Sequence, residues 1–221
     1  MAKSYIRPRY TNVTRLSDKL VSYFESRKIT QSTLKEMKIS EGIEFMPQLE
    51  KKCNTIQFNY FENSELVNIK YRTATKDFKL CANAELIPYN IDAIKDTTEC
   101  VITEGEFDTL SYITCGYKPA ISVPNGASAN VSYLDRFIDS HFENKQTIYI
   151  AADNDRKGLI LQAELIRRLG ADRCKIVEYG EGCKDANEHL IKLGSVSLLE
   201  TLKNAKEIKI EGVFTVADFE G

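Results

Sequence analysis

The sequence predicts an α/β fold, a mostly parallel sheet with helices on both faces, preceded by a small basic α+β subdomain. Three observations predict it. After Lys95, short apolar strands alternate with amphipathic helical stretches, the pattern of successive βα units. Before Lys95 the apolar period switches from helical to two, as in a helical pair followed by a hairpin. The charge divides at the same point. Up to Lys95 there are 16 Lys and Arg against 11 Asp and Glu, a balance of +5; from Asp96 onward it is 14 against 21, or −7, inside a net charge of −2. Such asymmetry suits an anion-binding part joined to an acidic part, although charge blocks also occur on plain solvated faces.

In the first part, Tyr5-Ile6-Arg7-Pro8-Arg9-Tyr10 is basic and aromatic with no period, and reads as an extended arm or a frayed terminus. Leu16, Leu20, Val21 and Phe24 recur at helical spacing, and Thr30 can cap a second short helix carrying Leu34 and Met37. From Thr55 the period becomes two, with Ile56, Phe58 and Tyr60, then a turn at Glu62-Asn63-Ser64, then Val67, Ile69 and Tyr71. The second strand of this hairpin carries Lys70 and Arg72, and a further extended piece holds Phe78 and Lys79.

In the second part, Cys100–Thr103 is a short buried strand and Leu110, Ile113 and Thr114 mark a helix after it. Ala120–Val123 is the next strand, Leu134, Phe137 and Ile138 another helix, and Thr147–Ala152 the most apolar strand. A long helix with Leu159, Leu161, Leu165, Ile166 and Leu169 ends at Gly170, and Lys175–Tyr179 is a fourth strand. The expected division is residues 1–95, 96–205, and a C-terminal extension over 206–221.

The composition, 43% hydrophobic and 28% charged over 221 residues, excludes disordered and fibrous classes. No run approaches the roughly 20 apolar residues that span a bilayer, so no membrane partner and a cytoplasmic location are expected. The six cysteines show no paired metal-ligand spacing and only two histidines accompany them, so no zinc is expected and the thiols read as reduced.

In an open α/β sheet, ligands sit beyond the carboxyl ends of the strands. There the sequence places Glu104-Gly105-Glu106-Phe107-Asp108, Asp153-Asn154-Asp155 and Lys184-Asp185-Ala186-Asn187. If the first and third strands are neighbours, Glu104, Asp153 and Asp155 converge, and carboxylates crowded in this way call for a hard divalent cation. Helix capping by the two aspartates and a plain surface turn at Lys184-Asp185 stay open beside that reading. Phosphate-loop and dinucleotide fingerprints are absent, and two histidines so placed make no nucleophilic triad.

The Glu104-Gly105-x-x-Asp108 corner followed by Asp153-x-Asp155 resembles a TOPRIM domain, the Rossmann-like fold shared by bacterial-type primases, topoisomerases and several nucleases. Val101–Leu110, Ser122–Ser128 and Lys184–Glu188 are similar to the versions of these motifs in the primase part of phage primase-helicases and Twinkle-like proteins. Ser26-Arg27-Lys28-Ile29-Thr30, Lys70-Tyr71-Arg72 and Phe78-Lys79 match the basic subdomain that precedes them there. The resemblance implies a DNA primase, a nucleotidyltransferase that makes RNA primers on single-stranded DNA from NTPs beside a replicative helicase, fused or separate. It implies Mg²⁺ or Mn²⁺ on Glu104, Asp153 and Asp155, with Asp108 and Asp185 as further ligands. Lys70, Arg72, Lys79 and Lys184 would contact nucleotide or DNA, whereas strand lysines that only solvate an outer face are the plainer reading. A non-catalytic single-strand-binding module of a Twinkle-like helicase and a TOPRIM nuclease are the alternatives. The family's zinc module and helicase motor are not in the sequence, so a fragment of a longer primase-helicase or a stand-alone primase is expected. A haloacid-dehalogenase phosphatase is set aside because its Asp-x-Asp follows the domain's first strand and precedes Thr or Val, whereas Arg156 follows here.

Overall fold

The computed structural model describes residues 4–8, 16–128 and 130–208. Arg9 and Tyr10 of the expected arm, and residues 209–221 of the C-terminal extension, lie outside them. Two short helices open the described core. α1 (Asp18–Ser26) begins where Ser17 accepts a hydrogen bond from the Leu20 N–H, and α2 (Gln31–Glu36) where Thr30 accepts from the Thr33 N–H. Phe24 on α1 and Leu34 on α2 turn inward.

Four strands follow, β1 (Ser40–Met46), β2 (Lys51–Glu62), β3 (Glu65–Arg72) and β4 (Phe78–Leu80), forming an antiparallel sheet in that order. The β2–β3 turn places Asn63 and Ser64 at φ 49° and 65°, the left-handed pair that suits the twist of a two-residue hairpin. β1 was not expected. Its alternating Ile43 and Phe45 are exposed, so the apolar pattern there marks no buried face. Register decides the orientation of the basic residues. Phe58 pairs with Lys70 and Ile56 with Arg72, and cross-strand partners share a face, so both cations lie on the core-facing side. The solvated-face reading is thereby excluded for these two residues.

The second sheet runs β5 (Glu99–Thr103), β6 (Ala120–Ser122), β7 (Thr147–Ala151), β8 (Cys174–Ile176) and β9 (Lys206–Glu207) in chain order, and β6-β5-β7-β8-β9 in space. The first four are parallel and β9 closes one edge antiparallel. α3 (Glu106–Thr114) and α5 (Ala186–Lys203) cover one face through Tyr112, Leu190 and Leu198. α4 (Arg156–Leu169) covers the other through Leu161, Leu165 and Leu169, while Leu159 is exposed. The helix expected around Leu134 is instead a 3₁₀ turn (Ser132–Phe137) continuing into a wide π turn (Ile138–Phe142), which lets Leu134, Phe137 and Phe142 all reach the core. The fourth strand is shorter than expected and stops at Ile176. α5 was not expected, since Gly194, at φ 86°, breaks the helix midway and interrupts its apolar period.

One apolar core runs through both sheets, joining Phe24, Leu34, Phe58 and Tyr60 to Ile102, Ile121, Ile148 and Leu161. The six cysteines are free thiols, with Cys100, Cys174 and Cys183 buried. Among the described residues no helix is long and apolar enough to cross a membrane. Phe24 is fully buried and its ring stacks on Phe107 at 5.3 Å between centroids. Phe24→Ala is therefore expected to cost about 3–5 kcal/mol, read as a lower urea midpoint with an unchanged slope.

Candidate functional site

Parallel pairing of Thr103 with Ala151 sets the carboxyl ends of β5 and β7 side by side, which brings Glu104 and Asp153 together. Three helices begin around the same point. α3 starts after Gly105 with Glu106 and Asp108 in its first turn, α4 is capped by Asp155, and α5 is capped by Asp185. Capping and site placement are thus compatible. Asp155 Oδ1 accepts from the Lys157 and Gly158 N–H groups at 2.9 and 3.0 Å, while its Oδ2 faces Lys184 Nζ at 3.1 Å. Asp153 caps nothing, and its Oδ2 meets the same ammonium at 2.9 Å.

The carboxylates divide by what satisfies them. Burial, then the charges of Asp153 and Asp155, push Glu104 up to about 7, and its Oε2 is buried with no hydrogen-bond partner. Burial, then Asp185 and Asp153, also push Asp108 far up, although it accepts the Asn187 N–H at 3.1 Å. Burial raises Asp153 against the pull of Lys184. Asp155 is lowered by the Gly158 N–H and by Lys184.

The facing wall comes from the first sheet and α1. Lys70 Nζ lies 2.8 Å from Glu106 Oε1, and the Tyr60 hydroxyl donates to the same oxygen. The Arg72 guanidinium, on a residue only 4% exposed, packs against the rings of Phe107, Tyr23 and Phe78 at 4.9, 5.6 and 5.7 Å. Arg27 packs on Phe107 at 4.8 Å and donates to Asn187 Oδ1 at 2.6 Å. Lys79 pairs with Tyr71 in register and so lies on the other side of its sheet, its ammonium 2.7 Å from Glu44.

These walls enclose one cleft of about 540 Å³, which Pro124, Asn125 and Gly126 also line. Of the residues singled out from the sequence, Glu104, Asp108, Asp153, Asp185, Lys70 and Arg72 line it, and Lys79 borders it although its ammonium is turned to Glu44. Asp155 and Lys184 adjoin it through their bridge to Asp153. Arg27, Glu106, Phe107 and Asn187 line it too and were not assigned from the sequence, although each stands inside a motif that was noticed.

Among the described residues no three His, Cys, Asp or Glu side chains converge tightly enough to enclose a metal ion as they stand. The donor set nonetheless fits a hard divalent cation, because Glu104 presents an orphaned buried oxygen beside a carboxylate that shares its raised affinity for protons.

The chain is similar in sequence and in fold to several known proteins. A Toprim-like family pattern matches residues 101–190. The Twinkle homolog protein, chloroplastic/mitochondrial, of Arabidopsis thaliana is 33% identical over 225 residues, covering 92% of this chain and 30% of that protein. The Primase homolog protein of the same plant is 33% identical over 212 residues, covering 86% of this chain and 60% of that one. Residues 101–190 thus form a Toprim-like domain. The TOPRIM fold is shared with the primase fragment of the bacteriophage T7 primase-helicase protein at a TM-score of 0.66 and 22% identity, over 80% of this chain and 72% of that one. The chain spans less than two thirds of either plant relative.

Two outcomes are expected from the geometry of this TOPRIM site. A methyl group at Gly158 would stand 1.9 Å from the Asp153 carbonyl oxygen, so Gly158→Ala must push α4 away from the acidic corner. A loss of about 1–3 kcal/mol in chemical denaturation is expected, and a melting curve identical to the parent's would refute the contact. In metal-free protein, carbon-detected NMR should show Glu104 titrating near 7. Because that lies above the usual 4.5, Glu104's contribution to stability is complete at low pH and is lost as the pH rises toward about 7. An ordinary carboxylate titration for Glu104 would contradict the burial described here.

Proposed function

We propose that this chain is the core of a DNA primase, which joins ribonucleoside triphosphates into short RNA primers on a single-stranded DNA template beside a replicative helicase. The observation that carries the reading is a single cleft with Glu104, Asp108, Asp153 and Asp185 on one wall and Arg27, Lys70 and Arg72 on the other. A polyanionic template and a triphosphate need such cations, and among the described residues Arg72 meets three aromatic rings and no carboxylate. Its guanidinium is held in place by the rings and lines the cleft, where a phosphate oxygen would meet it. Lys70 is committed to Glu106, so it contributes field more than a free hand. Lys79 reaches phosphate only by leaving Glu44.

Glu104 and Asp153 would hold a divalent cation, Mg²⁺ or Mn²⁺, with Asp155, Asp185 and Asp108 as additional donors. Held there, such a cation supplies an acidified 3′-hydroxyl and a neutralised pyrophosphate leaving group. The chain's own residues do the rest. Arg72 and Arg27 orient the phosphates, Phe78 and Phe107 offer apolar ring surface beside them, and the capped helix starts hold Asp155 and Asp185 in position. In this reading residues 1–95 supply the basic wall and 96–205 the acidic wall, with 206–221 as the C-terminal extension. A cytoplasmic setting goes with it; the Twinkle homolog is itself named for chloroplasts and mitochondria.

The likeness to that homolog favours a second reading, a module that binds single strands for a helicase without making primers. Incubation with NTPs, Mg²⁺ or Mn²⁺ and varied single-stranded templates separates the two. Primer synthesis is expected, falling about 100-fold in Glu104→Gln and Asp153→Asn. Salt-sensitive strand binding that weakens in Arg72→Ala, with no oligonucleotide formed under any condition, would establish the second reading instead.

A further inference from the structure

The Lys184 side chain stands where a cation belongs. Its ammonium lies 2.9 Å from Asp153 Oδ2 and 3.1 Å from Asp155 Oδ2, between two of the carboxylates that the proposed function assigns to a divalent cation. We infer that Lys184 is an internal counter-ion, which holds the Asp153 and Asp155 carboxylates together until a divalent cation displaces it and frees its side chain. The inference rests on the cation site proposed above.

What is fixed and what can move are distinct here. Asp155 is fixed by its second oxygen, which holds the Lys157 and Gly158 N–H groups. Asp153 is fixed by the close packing of Gly158 against its backbone. The backbone of Lys184 is fixed as well, since its carbonyl accepts the Asn154 N–H at 2.8 Å and its own N–H donates to Glu188 Oε2 at 3.1 Å. Only the lysine stem is loose, with the side chain 49% exposed. An ammonium on a flexible stem, in contact with water, is a weakly held partner. A doubly charged ion attracts the same oxygens more strongly and can also draw on Glu104 Oε2, which Lys184 leaves unpartnered.

Two cations that compete for one pair of carboxylates are thermodynamically linked. The apparent affinity for the divalent ion is reduced by the fraction of molecules in which the lysine is bound, and the ion reduces lysine pairing in return. Cation entry would also deliver a freed ammonium to the edge of the cleft, beside a bound triphosphate.

Mn²⁺ binding is followed by electron paramagnetic resonance in the full chain and in Lys184→Met, which keeps the stem and removes the charge. Lys192→Met controls for a general change in field, because Lys192 pairs with Glu188 on the same helix as that residue. Lys184→Met is expected to bind Mn²⁺ about five- to tenfold more tightly, and Lys192→Met to match the parent. In parallel, reductive methylation mapped by mass spectrometry is expected to modify Lys184 several-fold faster in saturating Mg²⁺ than in its absence, with Lys192 unchanged. Unchanged or weaker Mn²⁺ binding in Lys184→Met, or methylation of Lys184 that is indifferent to Mg²⁺, overturns the inference. If Mn²⁺ binding depends on Asp153 but not on Lys184, the counter-ion role alone fails. If no variant binds Mn²⁺, the cation site of the proposed function fails with it.

Discussion

Lys70 Nζ and Glu106 Oε1 meet at 2.8 Å in the interior, with the Tyr60 hydroxyl donating to the same oxygen, on residues only 8% and 3% exposed. Taking two charges out of water costs several kcal/mol per ion, and only close geometry with added hydrogen bonds offsets it. That demand fixes how the first sheet meets the start of α3. Lys70 belongs to β3, Glu106 to the first turn of α3, and Tyr60 to β2, so three elements are tied at one atom. Arg72 then falls against Phe107, one residue beyond Glu106, and the basic wall is set opposite the acidic corner. The cleft is what this pairing leaves open.

Across that opening the carboxylates differ in what their neighbours supply. Asp155 and Asp185 accept helix-terminal N–H groups, which spread their charge over backbone donors. Glu104 and Asp108 sit deeper, and burial there favours the proton over the charge. The same short stretch of surface therefore holds Asp155, lowered by its N–H donors and Lys184, beside deeper carboxylates poised to accept a positive partner. The contrast comes from burial and capping more than from residue type.

Much of this was legible in the residues. Apolar strands broken by Glu104, Asp153 and Asp185 marked the carboxyl edge of a parallel sheet, and strand adjacency, the one condition left open, is met by the β5–β7 pairing. Thr30 caps its helix as its residue type suggests. The period of two in β3 showed that Lys70 and Arg72 share a face, but only the register against Phe58 and Ile56 says which face, and register is a property of two strands at once. For Lys184 the resemblance of Lys184–Glu188 to the primase motif implies a contact with nucleotide or DNA; its spatial neighbours, Asp153 and Asp155, come from another strand's end and are invisible in that motif. Glu106 and Asn187 were hidden differently. Both sit inside noticed motifs, yet their partners, Lys70 and Arg27, lie in the other half of the charge division.

The hydrogen bond from Arg27 to Asn187 joins residues 160 positions apart. Asn187 also donates to the Arg27 carbonyl and to Ser111, so one amide fastens α1, α3 and α5 at the rim of the cleft. Closing so long a stretch of chain costs more conformational entropy than closing the local hairpin. On a ribosome the first sheet emerges complete while its acidic counterpart is still unmade. The cleft therefore has no complete lining until residues from both parts of the chain are in place.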